Sequence, residues 1–287
     1  MKVFIFGAGY SARAFARRYE GEIYGTTRSL ERFKILKQAG IFPLLFNGID
    51  VDNAVISQLQ ESELVIISAA PDDNGDPILR QPKLLNAMEN VKWIGYLSTI
   101  GVYGDHQGRW IDEQTPCVPG QPRNAERLNV ENAWQKFGDQ KHIATAILRL
   151  SGIYGPGRNA FLKLQHHEAV SVVKPGQVFN RICSADIANA LFFLSSMGSA
   201  GIFNITDDLP APGEAVIEYA AQLMGVTPPP KVSFDDANLS PMARSFYSEN
   251  KRVSNARLKA LGYKFLYPNY EVALKTMWQN NVWREEQ

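Results

Sequence analysis

Cysteine is almost absent from this chain: two in 287 residues, Cys117 and Cys183. Two thiols are too few for a disulfide framework or a cysteine-rich metal cluster, and they point to a reducing compartment. Histidine is nearly as scarce, with four. His166 and His167 are adjacent and so diverge on a helix, and His106 in "GDHQG" suits a solvated loop, so no metal site is expected. Excess charge is missing too. Thirty basic residues against 29 acidic ones leave +1, without the electrostatic footprint of a nucleic-acid or membrane-surface binder. No apolar run approaches the roughly 20 residues that span a bilayer. No long apolar leader with a small-residue cleavage site stands before the opening strand pattern. The expectation is a soluble cytoplasmic protein with neither nucleic acid nor membrane as partner.

What is present is alternation. Short apolar runs at 2–6, 22–27, 42–46, 63–68, 92–98 and 143–150 read as strands, with amphipathic stretches between most of them. The first stretch, Tyr10 to Tyr19, places Ala12, Phe15, Ala16 and Tyr19 on one face by the i, i+3, i+4, i+7 rule. Continuously apolar strands alternating with helices predict a parallel sheet covered on both sides. After Pro156 the pattern loosens into a short strand (169–173), a helix (184–197) and one more strand (201–206), and past Pro210 it becomes proline-rich. The expected division is a dinucleotide-binding domain of 1–155 and 176–208, and a smaller substrate domain of 156–175 and 209–287.

"VFIFGAGYSARAF" reads strand, Gly7-Ala8-Gly9-Tyr10-Ser11-Ala12, helix. This is the G-x-G-x-x-A form of the dinucleotide fingerprint. Gly7 permits the tight turn, Gly9 lets a pyrophosphate approach the backbone, and Ala12 keeps the helix close to the strand. The expected fold is therefore α/β, a Rossmann-type doubly wound parallel sheet. The second strand ends in Thr27-Arg28-Ser29, where an NAD-preferring site would carry a carboxylate. A guanidinium there suits a 2′-phosphate, so NADP is favoured and NAD is the alternative. Ser68, Ala69 and Ala70, closing the fourth strand, leave room for a ribose–pyrophosphate and would serve equally as a tight strand exit.

Three blocks in order, "LSTIGVYGD" (97–105) with "WIDEQTPCVP" (110–119), "LRLSGIYGPGR" (148–158) and "NRICSADIANAL" (180–191), resemble the extended short-chain dehydrogenase/reductase family with its sugar-nucleotide epimerases and dehydratases. The tail at 240–274 and the Gly-x-Gly-Tyr-Ser-Ala start resemble an atypical, nucleoside-diphosphate-sugar epimerase-like branch. The resemblance implies an NAD(P)-dependent oxidoreductase or epimerase, often a homodimer. It places Thr99 beside a reacting carbonyl, with Ser98 before it on the cofactor side. Thr99 equally suits a strand end that satisfies its own backbone. Tyr103 falls at a packing or substrate-contact position and is the second catalytic candidate. Tyr154, Arg158 and Arg181 fall on the substrate side, the arginines where phosphates lie.

One departure from the pattern stands out. The family's helix reads Tyr-x-x-x-Lys-Leu-x-x-Glu. Here "GQPRNAERLNVENAW" sets Arg127-Leu128-x-x-Glu131 in register, and the tyrosine position holds Arg123. No tyrosine occurs between Tyr103 and Tyr154. Arginine stays protonated and is no general base. Arg127 can still reach a nicotinamide ribose, and Arg123 can hold an anionic group. Two functions remain open: an NADP(H)-binding epimerase, dehydratase or reductase-like enzyme with a nonstandard site, acting on an anionic small molecule such as a nucleotide sugar, or a catalytically silent NADP(H) sensor.

Overall fold

The computed structural model describes residues 1–72 and 74–284. Among the described residues thirteen strands follow in chain order: β1 (Val3–Phe6), β2 (Ile23–Thr27), β3 (Phe42–Leu45), β4 (Leu64–Ile67), β5 (Trp93–Thr99), β6 (Trp110–Ile111), β7 (Ala144–Leu150), β8 (Gly152–Tyr154), β9 (Ser171–Val173), β10 (Arg181–Cys183), β11 (Gly201–Ile205), β12 (Lys231–Ser233) and β13 (Arg252–Val253). The helices are α1 (Tyr10–Ala16), α2 (Phe33–Gln38), α3 (Asn53–Gln60), α4 (Pro82–Asn86), α5 (Pro122–Lys141), α6 (Ala160–Gln165), α7 (Ser184–Ser196), α8 (Gly213–Met224), α9 (Pro241–Ser245), α10 (Ala256–Ala260) and α11 (Tyr270–Gln279).

Seven strands form one parallel sheet in the order β11-β7-β5-β4-β1-β2-β3. This is the Rossmann-like sheet that the alternation predicted. β1 and β4 are wholly buried, as strands covered on both faces must be. The chain runs outward from β1 to β2 and β3, then crosses back to β4 and β5, so the order reverses between β1 and β4. In open α/β sheets, ligands bind outside the carboxyl ends of the strands at such a reversal. On one side of the sheet Phe4, Phe6, Ile94, Tyr96 and Ile147 pack in a common core with Val130, Trp134 and Phe137 of α5. A fully buried large apolar side chain of this kind contributes roughly 1.5–3 kcal/mol. β3 is an edge strand, with Phe42 and Leu45 exposed and Pro43 between Phe42 and Leu44.

The chain divides into two compact units. The first comprises Met1–Val102, Gln121–Arg149 and Ile187–Phe203; the second comprises Tyr103–Gly120, Leu150–Asp186 and Asn204–Gln287. The second has its own core, with Phe161, Ala220, Leu274, Met277 and Trp283 in contact. Four stretches expected in the first unit lie in the second: the excursion 103–120, and 150–155, 176–186 and 204–208. The cause is pairing at long range: β6 in that excursion pairs with β13 at Arg252 and Val253. Small parallel pairs β8–β10 and β9–β12 complete the unit.

Helix α1 ends at Ala16 rather than Tyr19. Arg17 closes it, its amide donating to Arg13 O. Ala12, Phe15 and Ala16 are buried as expected, and Tyr19 instead stacks on Phe15 at 5.2 Å and donates its hydroxyl to Met1 O.

Candidate functional site

In the first unit, the residues expected to hold a dinucleotide gather at the carboxyl ends of β1, β2, β4 and β5. Gly7 takes φ +79°, and a Cβ there would stand 2.7 Å from Ala69 N. Only glycine tolerates both conditions. At Gly9 an added Cβ would meet nothing closer than Gly7 O at 3.8 Å, so space lies open against the backbone. Thr26 Oγ1 accepts from Gly7 N at 2.9 Å and fixes the start of the turn. Tyr10 opens α1, followed by the buried Ser11 and Ala12. Gly9 is the N-cap residue, and no side-chain cap bonds to the helix's first amides. A glycine turn with open space above it fits a pyrophosphate; a side chain at Gly9 would fill it.

At the end of β2, Thr27 is buried and its hydroxyl accepts from Ser29 N, while Ser29 Oγ accepts from Glu31 N. Arg28 between them is exposed. At the end of β4, the amides of Ser68 and Ala69 both donate to Phe6 O, at 2.8 and 3.0 Å, which draws these small residues against β1, and Ala70 is exposed.

The end of β5 is tied to α5. Ser98, 5% exposed, donates its hydroxyl to Glu131 Oε1. Glu131 is completely buried and forms an ion pair with Arg149 of β7, 2.7 Å between Nη2 and Oε2. Two buried opposite charges that share hydrogen bonds are tolerable; either alone is not. Thr99 is half-buried, and its Oγ1 accepts from Gly101 N at 3.1 Å. The hydroxyl proton of Thr99 is not used in that bond and can be donated.

Arg127 occupies the lysine position of the family pattern. Its Nη1 donates to Tyr96 Oη and Leu97 O, both at 3.2 Å. Asp76 acts on this arginine through its charge, and its carboxylate accepts from Trp134 Nε1 at 3.2 Å and from the amides of Ile78 and Leu79. Burial raises the Asp76 carboxyl above its ordinary range, against those hydrogen bonds. Burial likewise raises the Tyr96 phenol, against the pull of Arg127, so Tyr96 is no substitute for the absent helix tyrosine. Arg123, on the first turn of α5, is exposed.

The second unit holds the other candidates. Tyr103 is fully buried and donates to Asn204 Oδ1 at 2.8 Å, a packing arrangement that commits its hydroxyl. Arg158 is exposed in the tight Gly155–Arg158 turn. Arg181 donates to the carbonyls of Phe179 and Ala211 from Nη1 and to Pro212 O from Nη2. Its guanidinium lies 5.9 Å from the Phe179 ring and 5.7 Å from the Tyr270 ring. Burial holds its pKa below the ordinary arginine value. The Tyr154 hydroxyl is enclosed with no hydrogen-bond partner, and burial pushes its pKa well up.

Thr26, Glu131, Arg149 and Asp207 went unforeseen. A signal existed for Arg149: a charge inside the apolar run "AILRL" has to be paired. Glu131 served only to set the register of the helix pattern. Among the described residues no group of three or more His, Cys, Asp or Glu side chains could hold a metal ion, and no helix is long and apolar enough to cross a membrane.

Comparisons with known proteins agree with this architecture. Residues 77–205 match the NAD dependent epimerase/dehydratase family. A conserved protein of unknown function from Silicibacter pomeroyi shares 40% identity, covering 98% of this chain and 99% of that one, with a TM-score of 0.87. UDP-glucuronic acid 4-epimerase from Bacillus cereus, solved in complex with NAD, has 15% identity, coverage of 97% and 96%, and a TM-score of 0.77. The human epimerase family protein SDR39U1, solved with NADPH, has 16% identity, coverage of 98% and 100%, and a TM-score of 0.71. No curated protein matches the chain. With the reversed parallel sheet and the glycine turn in place, residues 77–205 of the chain belong to the NAD-dependent epimerase/dehydratase family.

Proposed function

We propose that the protein binds NADP(H) in its first unit and acts as an epimerase, dehydratase or reductase on an anionic small molecule of the nucleotide-sugar class. Its active site lacks the Tyr-x-x-x-Lys pair. The observation that carries this reading is the Gly7–Gly9 turn packed on Ala69, with exposed Arg28 at the end of β2. Arg28 would pair with a 2′-phosphate through charge-assisted hydrogen bonds. Solved members of the same fold carry NAD or NADPH, which supports a nicotinamide cofactor without choosing between the two.

A bound nicotinamide would supply hydride chemistry. The protein's own part is polar positioning. Thr99 would donate its free proton to a substrate oxygen as charge develops there. Arg127 contributes positive charge near the end of β5. Fluorescence titration tests the cofactor: NADPH should bind at least tenfold tighter than NADH, and Arg28→Ala should remove most of that margin. No preference would overturn the NADP assignment, and no binding at millimolar cofactor would sink the whole reading.

A second reading is a cofactor-binding sensor without turnover. It is favoured by the engagement of Arg127 with Tyr96 and Leu97 and of Tyr103 with Asn204. Saturable NADPH binding with no hydride exchange across nucleotide sugars and small carbonyl compounds would select it.

A further inference from the structure

Two oxygens of the second unit, Tyr154 Oη and Asp207 Oδ2, are enclosed and meet no hydrogen-bond partner. Leaving such a group unsatisfied is costly, so enclosed orphans mark places where something else completes the bonding. These two belong to one cluster. Tyr154 stands opposite Cys183 in the β8–β10 pair. Paired neighbours project to the same face, as do residues two apart on a strand, so Tyr154, Cys183 and Arg181 share one face. Asp207 is stitched to the same strand by its amide, which donates to Arg181 O at 2.7 Å. The charges of Asp207 and Arg181 both act on the Tyr154 phenol.

The charge balance selects the ligand. Arg181 is the cation of this cluster, and both of its Nη atoms already donate to backbone carbonyls. An incoming phosphate would compete with those carbonyls and meet the Asp207 carboxylate. A neutral hydroxyl faces neither penalty: it can donate to Asp207 Oδ2 and accept from Tyr154 Oη.

We infer that Tyr154 and Asp207 form a hydroxyl-binding site of the second unit, which takes an uncharged carbohydrate hydroxyl rather than a phosphate. This rests on the proposed substrate class and says which part of such a molecule these residues hold.

Binding at this site is linked to protons. Burial pushes the Asp207 carboxyl up to about 7, against the Leu209 amide and Arg181, and Asp208 and Asp186 add to the rise. Those two neighbours are themselves engaged, Asp208 with Lys259 and Asp186 with Tyr263 Oη and the amides of Leu266 and Tyr267. A ligand O–H donated to Oδ2 favours the ionised carboxylate. Binding therefore releases a proton, and affinity rises as pH passes upward through neutrality.

The test is calorimetric titration of the full chain with UDP-glucose and with UDP, at pH 6 to 8 and in two buffers of different ionisation enthalpy. NADPH fluorescence titration runs in parallel. UDP-glucose should bind at least tenfold tighter than UDP, with net proton release at pH 7. Tyr154→Phe and Asp207→Asn should each lose that margin while keeping NADPH affinity, and Asp207→Asn should lose the proton release. Equal binding of the two probes, variants that bind like the wild type (the result of a site filled by water alone), or no UDP-glucose binding by protein that binds NADPH would overturn the inference. Absence of NADPH binding with the UDP-glucose margin intact would sink the cofactor reading and leave this site standing.

Discussion

Gly7 is held at φ +79° with Ala69 N where a side chain would start. Gly7→Ala therefore combines backbone strain with a collision. Strain of this kind costs about 1–3 kcal/mol, and the variant should show that loss in urea denaturation together with loss of NADPH binding. At Asp207 the expectation concerns pH. Its carboxyl is raised to about 7 in the fold, against about 3.9 in an unfolded chain. The folded state thus holds a proton that the unfolded state has lost between those values. The stabilisation is full below about pH 4 and is lost as pH rises to about 7, at up to about 1.4 kcal/mol per pH unit. Asp207→Asn should flatten this limb of the stability curve. The two residues differ in legibility. Gly7 was readable because its demand is local: a strand, a turn and a helix in one short stretch. Asp207 was not, because nothing in "NITDDLP" shows which of two adjacent aspartates is enclosed.

Helix α5 shows the same division between local and distant causes. Its packing face was legible from the spacing of Val130, Trp134 and Phe137, all buried. The replacement of the Tyr-x-x-x-Lys pair by Arg123 and Arg127 was legible too. The contact of Glu131 with Ser98 and Arg149 was not, because charged residues normally lie at the surface and periodicity alone carries no partner. Glu131 fastens α5 to β5 and β7 at once. Glu131→Ala should cost about 3–5 kcal/mol, the usual loss when half of a buried pair is removed. Glu131→Leu combined with Arg149→Met should cost much less than the sum of the two single changes, as measured by a double-mutant cycle in urea.

At the scale of the molecule, alternation and continuous apolar runs gave away the parallel sheet. The division into units was only partly readable, since the pairing of Trp110 and Ile111 with Arg252 and Val253 spans some 140 residues of intervening chain. A ligand that binds only the folded state adds to its stability by mass action. NADPH at one hundred times its Kd should raise the unfolding free energy by about 2.7 kcal/mol, and an unchanged melting temperature at that concentration would contradict a site in the folded first unit.

The edge strand β3 carries a consequence for how molecules meet in solution. Phe46 N bonds inward to Thr27 O, and amides along a strand alternate in direction, so Phe42 and Leu44 also face β2 while Pro43 and Leu45 face outward. Proline stands where the open margin would otherwise offer an N–H. It interrupts the template on which a second molecule could lay a strand, and it does so without removing an internal sheet bond. With Phe42 and Leu45 exposed beside it, that interruption guards against end-to-end growth of the sheet. Pro43→Val should leave the melting temperature within a few degrees and make the protein scatter light at concentrations where the native sequence stays clear.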